Sequence, residues 1–200
     1  MDWLRQQILS DATGTRLSIP NLITLGRAIL VPVVFWLLVS GRTQAAFVLF
    51  VIAGVSDAID GYLAKRFNWQ TELGAYLDPL ADKMLVVSIF IALGVLKELP
   101  SWLVIAVVSR DILIVMAVVL SWLLDHPVHI KPLIVSKINT VAQIVLAAAV
   151  LADEGFGLGI GDLRFVLVWA VALSTVASLI AYMRAWLAHM AGYEADGPGA

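Results

Sequence analysis

Across 200 residues, 61% hydrophobic side chains against 14% charged ones, at a mean hydropathy of +0.94, exclude an ordinary soluble domain and predict an integral membrane protein. A formal net charge of −2 with scattered lysines and arginines excludes a nucleic-acid surface, which needs clustered cations. The lack of any cysteine excludes disulfides, thiolate catalysis and thiolate metal sites.

Apolar runs of about 20 residues between polar or Gly/Pro punctuation predict an all-α membrane protein with six transmembrane helices, near 21–40, 44–65, 76–96, 100–122, 133–152 and 163–188. An N-terminal segment, 1–19, precedes the spans, with Trp3, Leu4, Ile8 and Leu9 to one side and Arg5, Gln6 and Gln7 to the other, as in an interfacial helix. It has none of the marks of a signal peptide, so insertion is expected to rely on the spans themselves. The absence of an Arg/Ser-rich presequence favours a bacterial inner membrane over a mitochondrial one.

The first span places Asn21, Thr24 and Arg27 on one polar side near its start. In the second, Asp57 and Asp60 are three apart and share a helix face that Gly61 and Ala64 continue, setting carboxylates beside bare backbone. Lys65 and Arg66 close that span. In the third, Asp78 and Asp82 are four apart and share a face; Pro79 predicts a helix start shortly before it, since proline suits a first turn. Arg110 lies deep in the fourth, beside Asp111. The fifth opens with Ser136, Lys137, Asn139, Thr140 and Gln143; Ser174, Thr175 and Ser178 in the sixth read as interhelical packing. The three histidines, at 126, 129 and 189, fall at loops or ends, and the tail 191–200 reads as disordered beyond a single domain at 20–190.

Orientation follows from the basic residues. Arg5, Arg16, Lys65, Arg66, Lys131, Lys137 and Arg184 outnumber Arg42, Lys97 and Arg164 on the other side, which predicts both termini in the cytoplasm and puts both aspartate pairs near the cytoplasmic boundary.

A carboxylate at the centre of a bilayer-spanning helix costs roughly 2.5–3.5 kcal/mol, so four uncompensated ones would cost on the order of 10 kcal/mol. A structural ion-pair network with Arg27, Lys83 and Arg110 leaves acids over, because Asp111 must be counted too. A relay for cation transport is a second reading. Oxygen-only ligands without histidine or cysteine suit hard divalent ions, and two ions on shared carboxylates make a phosphoryl-transfer clamp, which is the favoured reading.

The run Asp57-x2-Asp60-Gly61-x2-Ala64-Lys65-x8-Gly74-x3-Asp78-x3-Asp82 resembles the signature of the CDP-alcohol phosphotransferase family, whose motif carries arginine where this chain has Lys65. The resemblance implies transfer of a phosphatidyl group from CDP-diacylglycerol to an alcohol with release of CMP, two divalent ions (Mg2+ or Mn2+), and a homodimer. It also implies roles: Asp57, Asp60 and Asp78 as metal ligands, Asp82 as metal ligand and general base, and Gly61, Ala64 and Gly74 making room for the nucleotide. The diphosphate falls to Lys65 or Arg66, because an ammonium cannot reproduce a guanidinium fork. Asn21, Arg27, Arg110 and Lys137 are expected to bind an anionic acceptor through its phosphate. The surroundings resemble two branches, cardiolipin synthases and phosphatidylglycerophosphate synthases. Ser109-Arg110-Asp111 and the stretch from Lys131 to Gln143 look more like the cardiolipin synthases, and Asn in place of Lys at 139 removes one counter-charge, which favours phosphatidylglycerol over the more highly charged glycerol 3-phosphate.

Overall fold

The computed structural model describes residues 19–67, 72–123 and 134–195, and within them leaves out the side chains of 19–25, 27–28, 57–67, 72–82, 118–119, 121–122 and 189–195. The described residues form six helices and no strand: α1 (Ile19–Val39), α2 (Thr43–Phe67), α3 (Glu72–Val95), α4 (Ser101–Leu123), α5 (Ile134–Phe156) and α6 (Gly161–Ala195). Most of the expected N-terminal interfacial segment, His126, His129 and residues 196–200 lie outside the described residues.

Each predicted span coincides with one helix, but α3 and α6 outrun their apolar stretches. The third helix begins at Glu72, so Pro79 sits two turns inside it instead of in its first turn. Proline there withholds one backbone donor from the carbonyl of residue 75. The sixth continues to Ala195 because Ala191, Tyr193, Glu194 and Ala195 sustain a helix across the single Gly192.

Short, sharply defined turns join α1 to α2, α3 to α4 and α5 to α6. After α1, Gly41 takes φ +72° while its N–H and that of Arg42 return to the carbonyls of Leu38 and Leu37. Such paired return bonds end a helix and satisfy its last carbonyls. Lys97 makes the same turn after α3 with φ +64°, unusual for a residue with a Cβ. After α5 the turn uses Gly157 and Gly159, and Asp153 Oδ1 accepts the Gly159 and Ile160 N–H groups at 2.7 and 3.3 Å. These turns meet at one end of the bundle. Arg164 Nη2 reaches both the backbone carbonyl and the carboxylate of Glu98, its Nη1 lies 3.0 Å from Glu154, and Gln44 Nε2 donates to the Gly155 carbonyl at 2.7 Å.

Packing among the described residues runs in a ring, α1–α2–α5–α6–α4–α3 and back to α1, with α3 also crossing to α5. Near the short turns the interior is apolar: Leu38, Phe90, Leu93, Leu103, Leu146 and Leu151 are essentially fully buried. Toward the other end the same inward stripes turn polar. On α5 the buried row reads Asn139, Gln143, Leu146, Ala147, Val150, Leu151, and on α6 Ser178 and Thr175 precede Ala172, Val171 and Val168 when read from that end.

Large apolar side chains such as Leu123, Phe165 and Leu173 are exposed on the outside. Among the described residues two helices are long and apolar enough to cross a membrane, Ile134–Phe156 and Gly161–Ala188, with 33% and 22% of an apolar 18-residue stretch of each buried inside the protein. Shorter apolar stretches occur at Ile29–Val39, Thr43–Ser56 and Lys83–Val95 among the described residues.

Candidate active site

The polar half of the bundle is organised around Arg110 on α4, whose side chain is 2% exposed. A buried guanidinium is costly unless its charge is compensated by a nearby carboxylate and hydrogen bonds. Here Nη1 pairs with Asp111 Oδ1, and Nη2 donates to Ser136 Oγ on α5 at 2.6 Å and to Ser178 Oγ on α6 at 2.5 Å. The guanidinium also lies 5.7 Å from the centre of the Tyr182 ring, a distance at which its charge meets the ring's negative face. One arginine thus ties together three helices. Asp111 Oδ1 serves a second cation as well, Lys83 Nζ on α3 at 3.7 Å, so two positive groups share one carboxylate and a net positive charge remains.

Beside this group a cavity of about 610 Å³ opens between α2, α3, α4 and α5. Its polar wall is Lys83, Asp111, Thr140 and Gln143; the remainder is apolar, including Phe50, Val55, Val86 and Ile144. Val51, Gly54 and Val55 of α2 and Lys83, Leu85 and Val86 of α3 both line this cavity.

Asp57 and Asp60 belong to α2, two residues and five residues beyond the cavity-lining Val55, and Asp78 and Asp82 belong to α3, with Asp82 immediately before the cavity-lining Lys83. At a rise of about 1.5 Å per residue, the α2 pair lies about 10–15 Å from its helix end and the α3 pair about 9–15 Å from its helix start. Residues 68–71, between the two helices, lie outside the described residues. Gly61, Ala64, Lys65 and Arg66 lie in the last turns of α2, Gly74 in the first turn of α3, and Asn21 and Arg27 in the first half of α1; the side chains of these residues and of the four aspartates lie outside the described ones.

Arg110 and Lys137 are the expected acceptor residues whose side chains are described, and they differ sharply. Arg110 is enclosed and committed to protein groups. Lys137 is exposed, on the helical face of α5 that Thr140, Ile144 and Ala148 continue into the cavity wall. Asn139 corrects the charge argument made for its position. It is fully buried between α5 and α6, and its Oδ1 accepts from Ser174 Oγ at 2.8 Å and Thr175 Oγ1 at 3.0 Å, so it faces its neighbour helix and does not line the cavity. The sixth-helix hydroxyls do pack between helices, as expected, with Ser178 recruited to Arg110.

The sequence reading weighs Lys83 and Arg110 as ion-pair partners of the aspartates and counts Asp111 among them; the structure pairs both cations with Asp111, a pairing that reading does not name. Its signal was present in the adjacent opposite charges of Arg110 and Asp111 within an apolar span, but spacing along one helix does not reveal which neighbour supplies the partner.

Comparison with known proteins bears on this site. The family model for CDP-alcohol phosphatidyltransferases matches residues 17–191. The chloroplastic CDP-diacylglycerol–glycerol-3-phosphate 3-phosphatidyltransferase 1 of Oryza sativa subsp. japonica is 37% identical over 88% of this chain and 60% of its own length. The CMP-forming cardiolipin synthase of Rattus norvegicus is 32% identical over 90% of this chain and 65% of its own. The CDP-diacylglycerol–glycerol-3-phosphate 3-phosphatidyltransferase of Escherichia coli (strain K12) is 32% identical over 84% and 94%. The chain therefore spans less than two thirds of the rice and rat proteins but nearly all of the bacterial one.

Proposed function

Because the chain belongs to the CDP-alcohol phosphatidyltransferase family, we propose that it transfers a phosphatidyl group from CDP-diacylglycerol to a glycerol-type alcohol, releasing CMP. The match over 17–191 takes in both aspartate-bearing helices and the cavity between them, and this carries the reading. An anionic acceptor occupies the cavity's polar end, where Lys83 offers its charge.

The donor set fits divalent metal: all four donors are hard carboxylate oxygens, on two continuous helices that flank one cavity, and the family is generally metal-dependent. Asp57, Asp60, Asp78 and Asp82 would hold two ions, Mg2+ or Mn2+, which when bound supply charge stabilisation to the diphosphate oxygens. Asp82 takes the proton from the attacking hydroxyl. The new bond joins the acceptor oxygen to the phosphorus bearing the diacylglycerol, and the bond from that phosphorus to CMP breaks. Lys65 or Arg66 neutralises the diphosphate, and Gly61, Ala64 and Gly74 admit the nucleotide. Arg110 acts through Asp111, holding the carboxylate that positions Lys83, while Asn21, Arg27 and the exposed Lys137 add to the field that draws the acceptor anion.

Phosphatidylglycerol is the favoured acceptor, giving cardiolipin. The apolar remainder of the cavity wall supports it, because a lipid acceptor brings acyl chain to cover that surface and a sugar-like phosphate does not. The single excess positive charge of Lys83, Arg110 and Asp111 also suits a phosphodiester. Glycerol 3-phosphate is the second reading, favoured by the names of the rice and bacterial relatives.

We place the chain as a multi-pass protein of a bacterial inner membrane with the site on the cytoplasmic side, working as a homodimer. All six helices support six spans by length, the shortest having 21 residues, about 31 Å against about 30 Å of hydrocarbon. Purified protein in detergent with CDP-diacylglycerol and Mg2+ or Mn2+ is expected to release CMP only when acceptor is added, with cardiolipin identified by mass. No metal-dependent CMP release with either phosphatidylglycerol or glycerol 3-phosphate would reject the enzyme reading; phosphatidylglycerophosphate as product would reassign the acceptor.

A further inference from the structure

Three short turns end helices at the same end of the bundle, and two of them place glycine at a left-handed position, Gly41 and Gly157 at φ +72° and +66°. The third places Lys97 there at φ +64°, although its backbone bonds match those of the Gly41 turn and glycine would adopt that conformation freely. A side chain kept where its backbone is strained calls for a use for that side chain. Lys97 stands on the wall of a second cavity, of about 480 Å³, within the range of small-molecule sites and with no wall residue in common with the first. Its ammonium joins no ion pair among the described residues. The same wall carries Glu98 and Arg164, and there the charges do not balance: Arg164 is shared between Glu98 and Glu154, so one carboxylate's charge is left over. The cavity thus offers a free cation and a surplus of negative charge on one wall. Phe165 lines it too and begins an exposed aromatic group, its ring 6.3 Å from that of Trp169, which lies 5.7 Å from that of Trp102. Exposed tryptophans gather where a membrane meets water, which sets this cavity at the depth of lipid headgroups.

We propose that this cavity seats the headgroup of a phospholipid that carries a primary ammonium, of the phosphatidylethanolamine class, from the leaflet at the turn end. Its phosphate meets Lys97, its ammonium donates to the Glu98 carboxylate, and its glycerol and upper acyl chain lie along Phe165, Trp169 and Trp102. A purely anionic headgroup satisfies Lys97 but adds charge beside the unbalanced carboxylate. A choline headgroup carries the balancing charge but has no N–H to donate. The lipid is neither donor nor acceptor in the reaction proposed above, so the site stands or falls independently of the transferase reading. Binding to the folded chain alone stabilises by mass action, here at the turns that join α3 to α4 and α5 to α6.

The test follows thermal unfolding of the purified full chain in neutral detergent micelles, without lipid and with a fixed mole fraction of phosphatidylethanolamine or phosphatidylcholine; phosphatidylglycerol is left out because it is the proposed acceptor. Phosphatidylethanolamine should raise the midpoint above that in phosphatidylcholine by about 2–4 °C, the size expected in a chain of this length for one headgroup hydrogen bond. Lys97→Gly should separate the two roles of its position. Without lipid it should melt at or above wild type, because its backbone is relieved, and with lipid it should lose at least about half of the wild-type rise. Glu98→Gln should gain equally from the two lipids. A lysine that only shapes the turn would shift every midpoint together and leave the lipid-dependent rise intact. Equal midpoints for wild type in the two lipids overturn the proposal. So does a lipid-dependent rise that survives Lys97→Gly in full, or a preference for phosphatidylethanolamine that survives Glu98→Gln. The readout does not involve CMP release, so failure here and failure of the transferase reading are distinguishable.

Discussion

At the scale of the residue, Asp111 holds two cations with a single oxygen. Replacing it by asparagine leaves Arg110 buried without a counter-charge, a change that typically costs about 3–5 kcal/mol. Asp111→Asn is therefore expected to lower the thermal midpoint of the purified protein by many degrees. Lys83→Met should do little to stability, since that side chain is 39% exposed, but should raise the acceptor KM well above tenfold without a matching change for CDP-diacylglycerol. Asp82→Asn is expected to abolish turnover with donor binding largely retained; steady CMP release by the variant would remove Asp82 from the role of base. How far these residues could be read from sequence varies. The four aspartates announce themselves because carboxylates are costly in apolar helices, and their spacing assigns each pair to a face. The partners of Lys83, Arg110 and Asn139 were not legible, because helical period names a face and not the neighbour that covers it. Asn139 is the clearest case: its position in a polar cluster implied a place near substrate, and the interface with α6 took it instead.

At the scale of the element, the apolar runs identified all six helices, and their ends deviated where helix propensity, not hydropathy, sets the boundary. Glu72 to Tyr76 and the stretch beyond Ala188 are polar enough to leave a membrane yet remain helical. The turn after α3 offers a test of local strain. Lys97 holds a left-handed conformation that glycine adopts freely, so Lys97→Gly should stabilise the protein by up to about 1 kcal/mol in denaturant or thermal melts. One turn earlier, Gly94 lets α3 approach α4: a Cβ there would sit 2.9 Å from Val104 Cγ2. Gly94→Val is expected to cost about 1–3 kcal/mol through overpacking, measurable in the same melts, with Val104→Ala restoring part of the loss.

At the scale of the whole molecule, the short turns gather at one end and the polar cavity occupies the other half of the bundle. The natural chain lacks cysteine, which makes single introduced thiols clean reporters of sidedness. In sealed cells, Lys97→Cys should react with a membrane-impermeant maleimide from outside, and Lys137→Cys only after permeabilisation; the reverse pattern would invert the proposed orientation. Arg164, which joins Glu98 to Glu154 at the turn end, is partly exposed, so Arg164→Ala should cost about 0.5–1 kcal/mol and less at high salt, with little effect on catalysis.

Because Arg110 reaches Ser136, Ser178 and, through Asp111, Lys83, the placement of one ammonium on α3 is contingent on three other helices. Substitutions at these positions will therefore show epistasis: a change harmful alone at Ser178 becomes tolerable once Lys83 or Asp111 has changed with it. Over evolutionary time the set is expected to drift as a block, so that a swap of α6 between two relatives fails unless positions 83, 110, 111 and 136 travel with it.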